Sequence, residues 1–432
     1  MKSILFFILF FFILHNISTI AQRTTYNNFI KVNGTKFFKD DKAYNYIGTN
    51  LWYGMHLGSM DKKRLLRELN QLQDLGITNL RIMALTEGPD SEPYRITPAN
   101  NQQKNIREDI TRGLDFLLVE MKKRNMHAVV CLSNFWPWSG GFAQYLQWAE
   151  SIDTIPYPMD TTGKQDWDLY QQITSTFYSD STAKKIYRDK ISTIINRKNS
   201  ITNVLYKDDP TIMSWQLCNE PRGMKNVKAY LNWIEESAKY IKELDSNHLV
   251  SVGSEGLTTT PEYNGLPFLE THQSKFIDYT TAHLWLQNWN LYDPKNHSTT
   301  YDSAIKKAAD YIQHHINLST QLNKPFVLEE FGISRDEGNF DIAASTKVRD
   351  DYFNFIFNII FRNIKNKTAS GANFWAWGGE GRPKKYGGWW KNGDDFTGDP
   401  PHELQGWYSV YNTDTSTLLE IKKYNDLLKD VK

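Results

Sequence analysis

Eight short apolar runs recur along this chain, and several are separated by stretches with apolar residues at i, i+3 and i+4. The runs cover residues 44–50, 79–85, 127–134, 212–219, 249–254, 279–285, 326–331 and 372–377. The helical patterns cover 61–75, 109–124, 227–244, 304–322 and 348–364. Near-continuous apolar strands of this length suit a parallel sheet covered by helices. Eight of them over about 400 residues is the period of a single (β/α)8 TIM barrel, with long βα loops forming an open cleft. The competing arrangement is an open doubly wound sheet. It normally brings a glycine-rich phosphate turn after the first strand, and Gly48-Thr49-Asn50 is not one.

Residues 1–21 read as a signal peptide: Lys2, an apolar run over 4–14, then Thr19-Ile20-Ala21 before the cut. That run is too short to span a bilayer comfortably. Residues 22–432 are therefore expected to form one exported domain, extracellular or periplasmic, with no membrane attachment. Lysine and arginine number 50 against 49 acids, which leaves no basic footprint for nucleic acid. Two cysteines are too few for a disulfide-stapled scaffold or a four-thiolate zinc site. Cys131 and Cys218 lie in apolar runs and are expected to be inert core thiols, although a bridge between neighbouring strands stays open.

In such a barrel, functional groups project from the C-terminal ends of the strands. Here the runs carry Arg81, Asn134, Asn219-Glu220, His283, Glu329-Glu330 and Trp375, which are poor choices for filling a core. Glu220 and Glu330 belong to the fourth and seventh runs, which face each other across a barrel mouth. Two carboxylates ~5–5.5 Å apart cleave a glycosidic bond with retention, whereas ~6.5–9.5 Å admits a water and inverts. Arg81 beside Glu330 would hold it charged. Glu329 competes with Glu330, since strand alternation points only one of two neighbours at the axis. The chain's 14 Trp, 23 Tyr and 23 Phe fit the same chemistry. Trp52, Trp136, Trp138, Trp285, Trp289, Trp389 and Trp407 fall after candidate strands, where a ring offers a sugar an apolar face and a polar edge.

Residues 215–221 (WQLCNEP) resemble the fourth-strand signature of glycoside hydrolase family 5, and 328–332 (LEEFG) its seventh-strand motif. The likeness runs from about Phe29 to the C-terminus and is closest to the endo-β-1,4-mannanase branch, subfamily 7. Its supporting strings are GTNLWYG at 48–54, LRI at 80–82, NFWPWSGG at 134–141, HLW at 283–285 and FWAWGG at 374–379. The resemblance implies Glu220 as acid/base and Glu330, rather than Glu329, as nucleophile. It places Arg81 behind the nucleophile, Asn219 on the sugar 2-hydroxyl, His283 beside the pair, and Trp375 under the −1 sugar. Trp52, Asn134, Trp136 and Trp285 are further substrate-binding candidates. Two positions depart from the family. Trp285 stands where many members have a tyrosine bonded to the nucleophile, and Asn134 where many have histidine.

The implied activity is retaining hydrolysis inside β-1,4-mannan, glucomannan or galactomannan chains, by a monomer needing no metal or organic cofactor. The same mechanism on β-1,4-glucan is one alternative, and a carbohydrate binder without turnover is another. There is no Walker loop, dinucleotide fingerprint, Gly-x-Ser-x-Gly elbow or His-Glu-x-x-His. His314-His315 is expected on a helix surface, and residues 392–395 (NGDD) in a loop lining the cleft rather than binding Ca²⁺.

Overall fold

The computed structural model describes residues 28–88, 106–158, 166–258 and 265–431, so the expected signal peptide lies outside it. Eight parallel strands make the barrel: β1 (Tyr46–Asn50), β2 (Asn79–Met83), β3 (His127–Cys131), β4 (Ile212–Gln216), β5 (Leu249–Ser251), β6 (Thr280–Leu284), β7 (Phe326–Phe331) and β8 (Gly371–Phe374). They pair in the order 5-4-3-2-1-8-7-6. Across the remaining seam, Asp278 N donates to Val250 O at 2.8 Å and His283 N to Glu255 O at 2.9 Å. The result is a (β/α)8 barrel.

Strands β2 to β5 end two or three residues earlier than the apolar runs suggest. Past Cys131 and Gln216 the chain leaves regular pairing, and a single bridge joins Asn134 to Asn219. The apolar run therefore continues as buried loop, which delivers polar groups to the mouth. At the opposite end a three-stranded hairpin unit, Lys31–Asn33, Lys36–Lys39 and Lys42–Ala43, covers the barrel floor. Its Phe37 is buried against Tyr279, ring centroids 5.3 Å apart. Burying such a side chain contributes ~1.5–3 kcal/mol.

The helices anticipated from periodicity are present as Lys62–Asp74, Glu108–Lys123, Val227–Leu244, His297–Gln321 and Lys347–Lys365. Further helices at Gly54–Met60, Gly141–Trp148, Trp167–Thr174, Ser181–Ile195 and Thr415–Leu428 were not signalled. Gly54–Met60 crosses Glu108–Lys123 at Gly58 and Gly113; a Cβ on Gly58 would lie 2.1 Å from Gly113 O. Cys131 and Cys218 are free and buried. His315 corrects the helix-surface expectation: it is fully buried and accepts Leu257 N at 2.8 Å. Among the described residues, no helix is long and apolar enough to cross a membrane.

The longest excursion follows β8. Residues 375–414, the β8 loop, return by a short strand pair, Trp377–Gly379 with Val410–Tyr411. Within it Asp394 pairs with Lys384 at 3.1 Å and Asp395 accepts Arg382 N at 3.1 Å. Both carboxylates thus have protein partners within the loop, and residues 392–395 do not line the cleft as the sequence suggested.

Candidate active site

Arg81, rising from β2, is the hub of the barrel mouth. Its guanidinium donates to Glu330 Oε1, to Gln216 Oε1 at 2.8 Å, to Asn50 Oδ1 at 3.1 Å and to Asn219 Oδ1 at 2.7 Å. A rigid fork of five N–H donors suits such a hub; a lysine could not reach all four partners. Asn219 is fixed from its other side, where Nδ2 donates to Asn134 Oδ1 at 3.0 Å. Glu220 follows in the left-handed region, φ 49°, an uncommon backbone conformation for a residue with a side chain. Its Oε1 lies 2.5 Å from His283 Nδ1, and its Oε2 accepts Trp136 Nε1 at 2.6 Å.

One oxygen each of Glu220 and Glu330, with one nitrogen of His283, lie within 4.8 Å of one another. Glu329 is set deeper. It accepts Gln216 Nε2 at 2.7 Å and lies 3.6 Å from Arg81 Nε. Strict alternation would turn one neighbour away from Arg81. The β6–β7 register instead shifts between Leu328 and Glu330, so both carboxylates reach the hub. Only Glu330 lines the cleft.

Burial drives every ionisable group here toward its neutral form, and the neighbours decide the outcome. For His283, burial is outweighed by the charges and hydrogen bonds of Glu330, Glu220 and Glu329, which raise it to about 10. For Glu220, burial is outweighed by the hydrogen bond and charge of His283, with Arg222 and Trp136, which lower it to about 2. Glu330 goes up to about 7, through burial and the charges of Glu220 and Glu329, against His283 and Arg81. Groups this close titrate as a cluster. The 2.5 Å contact between Glu220 and His283 is short enough for a proton to pass from one to the other.

The cleft has a volume of about 690 Å³. Glu220, Glu330, Asn219, Trp136, Trp285 and Trp375 line it, as the sequence suggested. Arg81 and Trp52 border a small recess beside it, with Asn50 and Trp138. Two expectations need correcting. Asn134 is wholly buried, donates to Ser139 Oγ at 3.0 Å and orients Asn219; it does not reach the cleft. His283 is likewise buried; it lies beside Glu220 and Glu330 as expected but does not line the cleft. Trp285, in the place of the family tyrosine, points its Nε1 at Glu220 Oε1 (3.4 Å), leaving Glu330 to Arg81 and His283.

A family model described as GH family 5 beta-mannosidase-like matches residues 27–432. The chain belongs to that family. It is 40% identical to a solved family 5 mannosidase from Rhizomucor miehei, with a TM-score of 0.84, covering 94% of this chain and 99% of that one. A variant of the Rhizomucor protein has been solved in complex with mannosyl-fructose. Mannan endo-1,4-beta-mannosidase 4 of Solanum lycopersicum is 31% identical over 82% of this chain and 84% of its own length. Mannan endo-1,4-beta-mannosidase 5 of Arabidopsis thaliana is 27% identical over 88% and 84%.

Sequence reasoning missed several cleft residues of this family 5 hydrolase. Arg222 donates to Glu255 through Nε at 2.6 Å and Nη2 at 2.7 Å, and its guanidinium lies 4.9 Å from the Trp136 ring centroid. Proximity to Glu220 was the only available signal for Arg222, and nothing marked Glu255. From the β8 loop come Pro400, His402, Glu403 and Leu404. His402 stacks on Trp138 at 6.2 Å and lies 5.7 Å from Trp167, both in the long β3 connection. Tyr408 donates to Asn288 Oδ1, after β6, at 2.6 Å. The β8 loop thus crosses the mouth and touches its far side. Trp375 Nε1, His402 Nδ1 and Glu403 Oε2 are buried without partners among the described residues.

Proposed function

We propose that this family 5 hydrolase cleaves β-1,4-mannosidic linkages with retention of configuration. The observation that carries the reading is the carboxylate pair, whose nearest oxygens fall within 4.8 Å, on the short side of the range that separates retention from inversion. Glu330, held by Arg81, attacks the anomeric carbon. Glu220 protonates the leaving oxygen, then deprotonates the water that releases the glycosyl-enzyme. His283, whose Nδ1 lies 2.5 Å from Glu220 Oε1, would supply the proton it needs. When sugar displaces water from the cleft, the neutral His283–Glu220 pair gains over the ionised one, because separated charge is costly in a dry site. Transfer to Glu220 removes both the Glu220 charge, which raises Glu330, and the His283 charge, which lowers it, so Arg81 is the cation left to favour an ionised nucleophile. Asn219 would bind the 2-hydroxyl and Trp375 would lie under the sugar face, and no cofactor enters any step. The enzyme acts as an exported monomer: residues 1–21 carry the export signal and residues 22–432 the catalytic domain.

Where along the chain it cuts depends on the β8 loop. The loop reaches Trp138 and Trp167 across the mouth and presents His402 and Glu403, with unpartnered buried polar atoms, to the cleft. A wall with hydrogen-bonding capacity suits a terminal sugar better than a chain running through. The description of the matching family model and the 40% identical Rhizomucor mannosidase point the same way. We therefore favour release of mannose from chain ends. Internal cutting, the activity in the names of the plant relatives, is the second reading.

Resolving the products from linear β-1,4-mannan, mannohexaose and β-1,4-glucan tests this. Mannose as the first product from mannohexaose supports the preferred reading, and a ladder of shorter oligosaccharides supports the second. Cleavage of glucan but not mannan contradicts the substrate, and binding of both without cleavage contradicts the enzyme.

A further inference from the structure

The β8 loop is held from behind. Glu68, on the helix Lys62–Asp74, is wholly buried, and its two oxygens accept four donors. Oε1 takes Arg64 Nε at 2.7 Å and Glu380 N at 2.9 Å; Oε2 takes the Tyr53 hydroxyl at 3.0 Å and Trp377 Nε1 at 3.2 Å. Arg64 continues to Phe396 O at 2.7 Å. The Phe396 ring stacks on Tyr53 at 6.0 Å, and Trp52 Nε1 reaches Gly398 O at 2.9 Å. One carboxylate–guanidinium pair therefore ties down two separate points of the loop, 377–380 and Phe396, with Trp52 holding Gly398 beside the second.

What hangs from those points is functional. Trp375 lies two residues before the first anchor, and the wall residues Pro400, His402 and Glu403 follow directly after the second. A buried ion pair is a poor source of net stability compared with apolar packing, but each member demands one geometry of its partners. Here the demand falls on a loop rather than on the barrel.

We propose that Glu68 and Arg64 are positioning residues that set the height of the cleft wall, and through it the length of β-mannan chain the site accepts. The inference rests on the chain-end reading above. Widening the wall from behind frees the space past the terminal sugar, without touching Glu220 or Glu330.

Glu68→Gln tests this by keeping the side chain's shape while turning one acceptor into a donor that faces donors. Mannose release from mannotriose should lose at least about tenfold in kcat/KM, chiefly through KM, as expected for losing hydrogen bonds to a charged group. The share of longer products from mannohexaose should rise, with the pH profile unchanged. Asp115→Asn is the control: it breaks a comparable carboxylate network (Arg197 at 2.7 Å, Tyr206 at 2.5 Å, Ser200 at 2.7 Å) among outer elements. It should lower Tm and leave the products unchanged. If Glu68→Gln does not fold, Tyr53→Phe removes a single donor, and a smaller shift in the same direction is expected. Unchanged KM and products in the folded variant overturn the proposal, as does an equal change in Asp115→Asn. A parent enzyme that releases no mannose contradicts the chain-end reading alone. The KM for mannohexaose then decides the clamp: a rise in Glu68→Gln supports it and no change overturns it.

Discussion

Arg81 shows how one residue's chemistry organises the site. Its contacts with Glu330, Asn219, Asn50 and Gln216 join β1, β2, β7 and the β4 segment. Arg81→Lys keeps the charge but loses the fork, and is expected to cost kcat about a hundredfold with a smaller change in KM, measured on mannotriose. His283 makes a sharper case. If it shares the proton that Glu220 uses, the alkaline limb of kcat/KM reports a cluster in which His283 is raised to about 10. His283→Gln leaves Glu220 to hold its proton alone, so that limb should move to lower pH; an unmoved limb would show that His283 only fills space. Both residues were legible in the sequence, because an arginine and a histidine inside apolar strands need a reason to be there. Glu255 and Glu403 were not: the partner of Glu255, Arg222, lies 33 residues away, and Glu403 reaches the cleft only through the path of the β8 loop.

At the scale of elements, strand Phe326–Phe331 and helix Val227–Leu244 match their sequence patterns to the residue. Long apolar periodicity is a strong signal. The helices of the β3 connection gave a weaker one. Gly141–Trp148 and Trp167–Thr174 are short and rich in aromatics, so their sequences read as loop. They pack on one another's neighbours through ring contacts such as Phe142 on Phe177, centroids 4.0 Å apart, a tertiary arrangement that no local pattern reveals. The β3–β4 bridge is another such device. Asn134→Ala removes the acceptor that orients Asn219 Nδ2, and should raise KM severalfold with Glu220 chemistry intact. Equal losses in kcat and KM terms would instead place Asn134 in the reacting centre.

For the whole molecule, buried histidines tie stability to pH. Burial lowers His56, His272 and His402 to about 3, and His127 and His315 to about 4. Above pH ~6.5 neither the folded nor the unfolded chain protonates them, so their full contribution is present. As pH falls below that value, only the unfolded chain takes up protons. Each histidine then withdraws about 1.4 kcal/mol per pH unit until its folded pKa is reached. The buried carboxylates Glu68, Glu87 and Glu255, whose pKa values are raised, work in the opposite sense. A difference measurement isolates one group. His56 has no hydrogen-bond partner on either ring nitrogen among the described residues, so His56→Phe should make the stability curve shallower by about one proton between pH 6.5 and 4, read by denaturant unfolding. An unchanged slope would mean His56 is protonated in the fold.

The stereochemistry of the first turnover bears most directly on the carboxylate pair. Proton NMR of a fast mannotriose digest, beside Glu220→Ala and Glu330→Ala, reads the anomer before it mutarotates. A β-anomer formed first, with either substitution cutting the rate about a thousandfold or more, is the result expected of Glu330 as nucleophile and Glu220 as acid/base. An α-anomer formed first, or full activity in either variant, would contradict it.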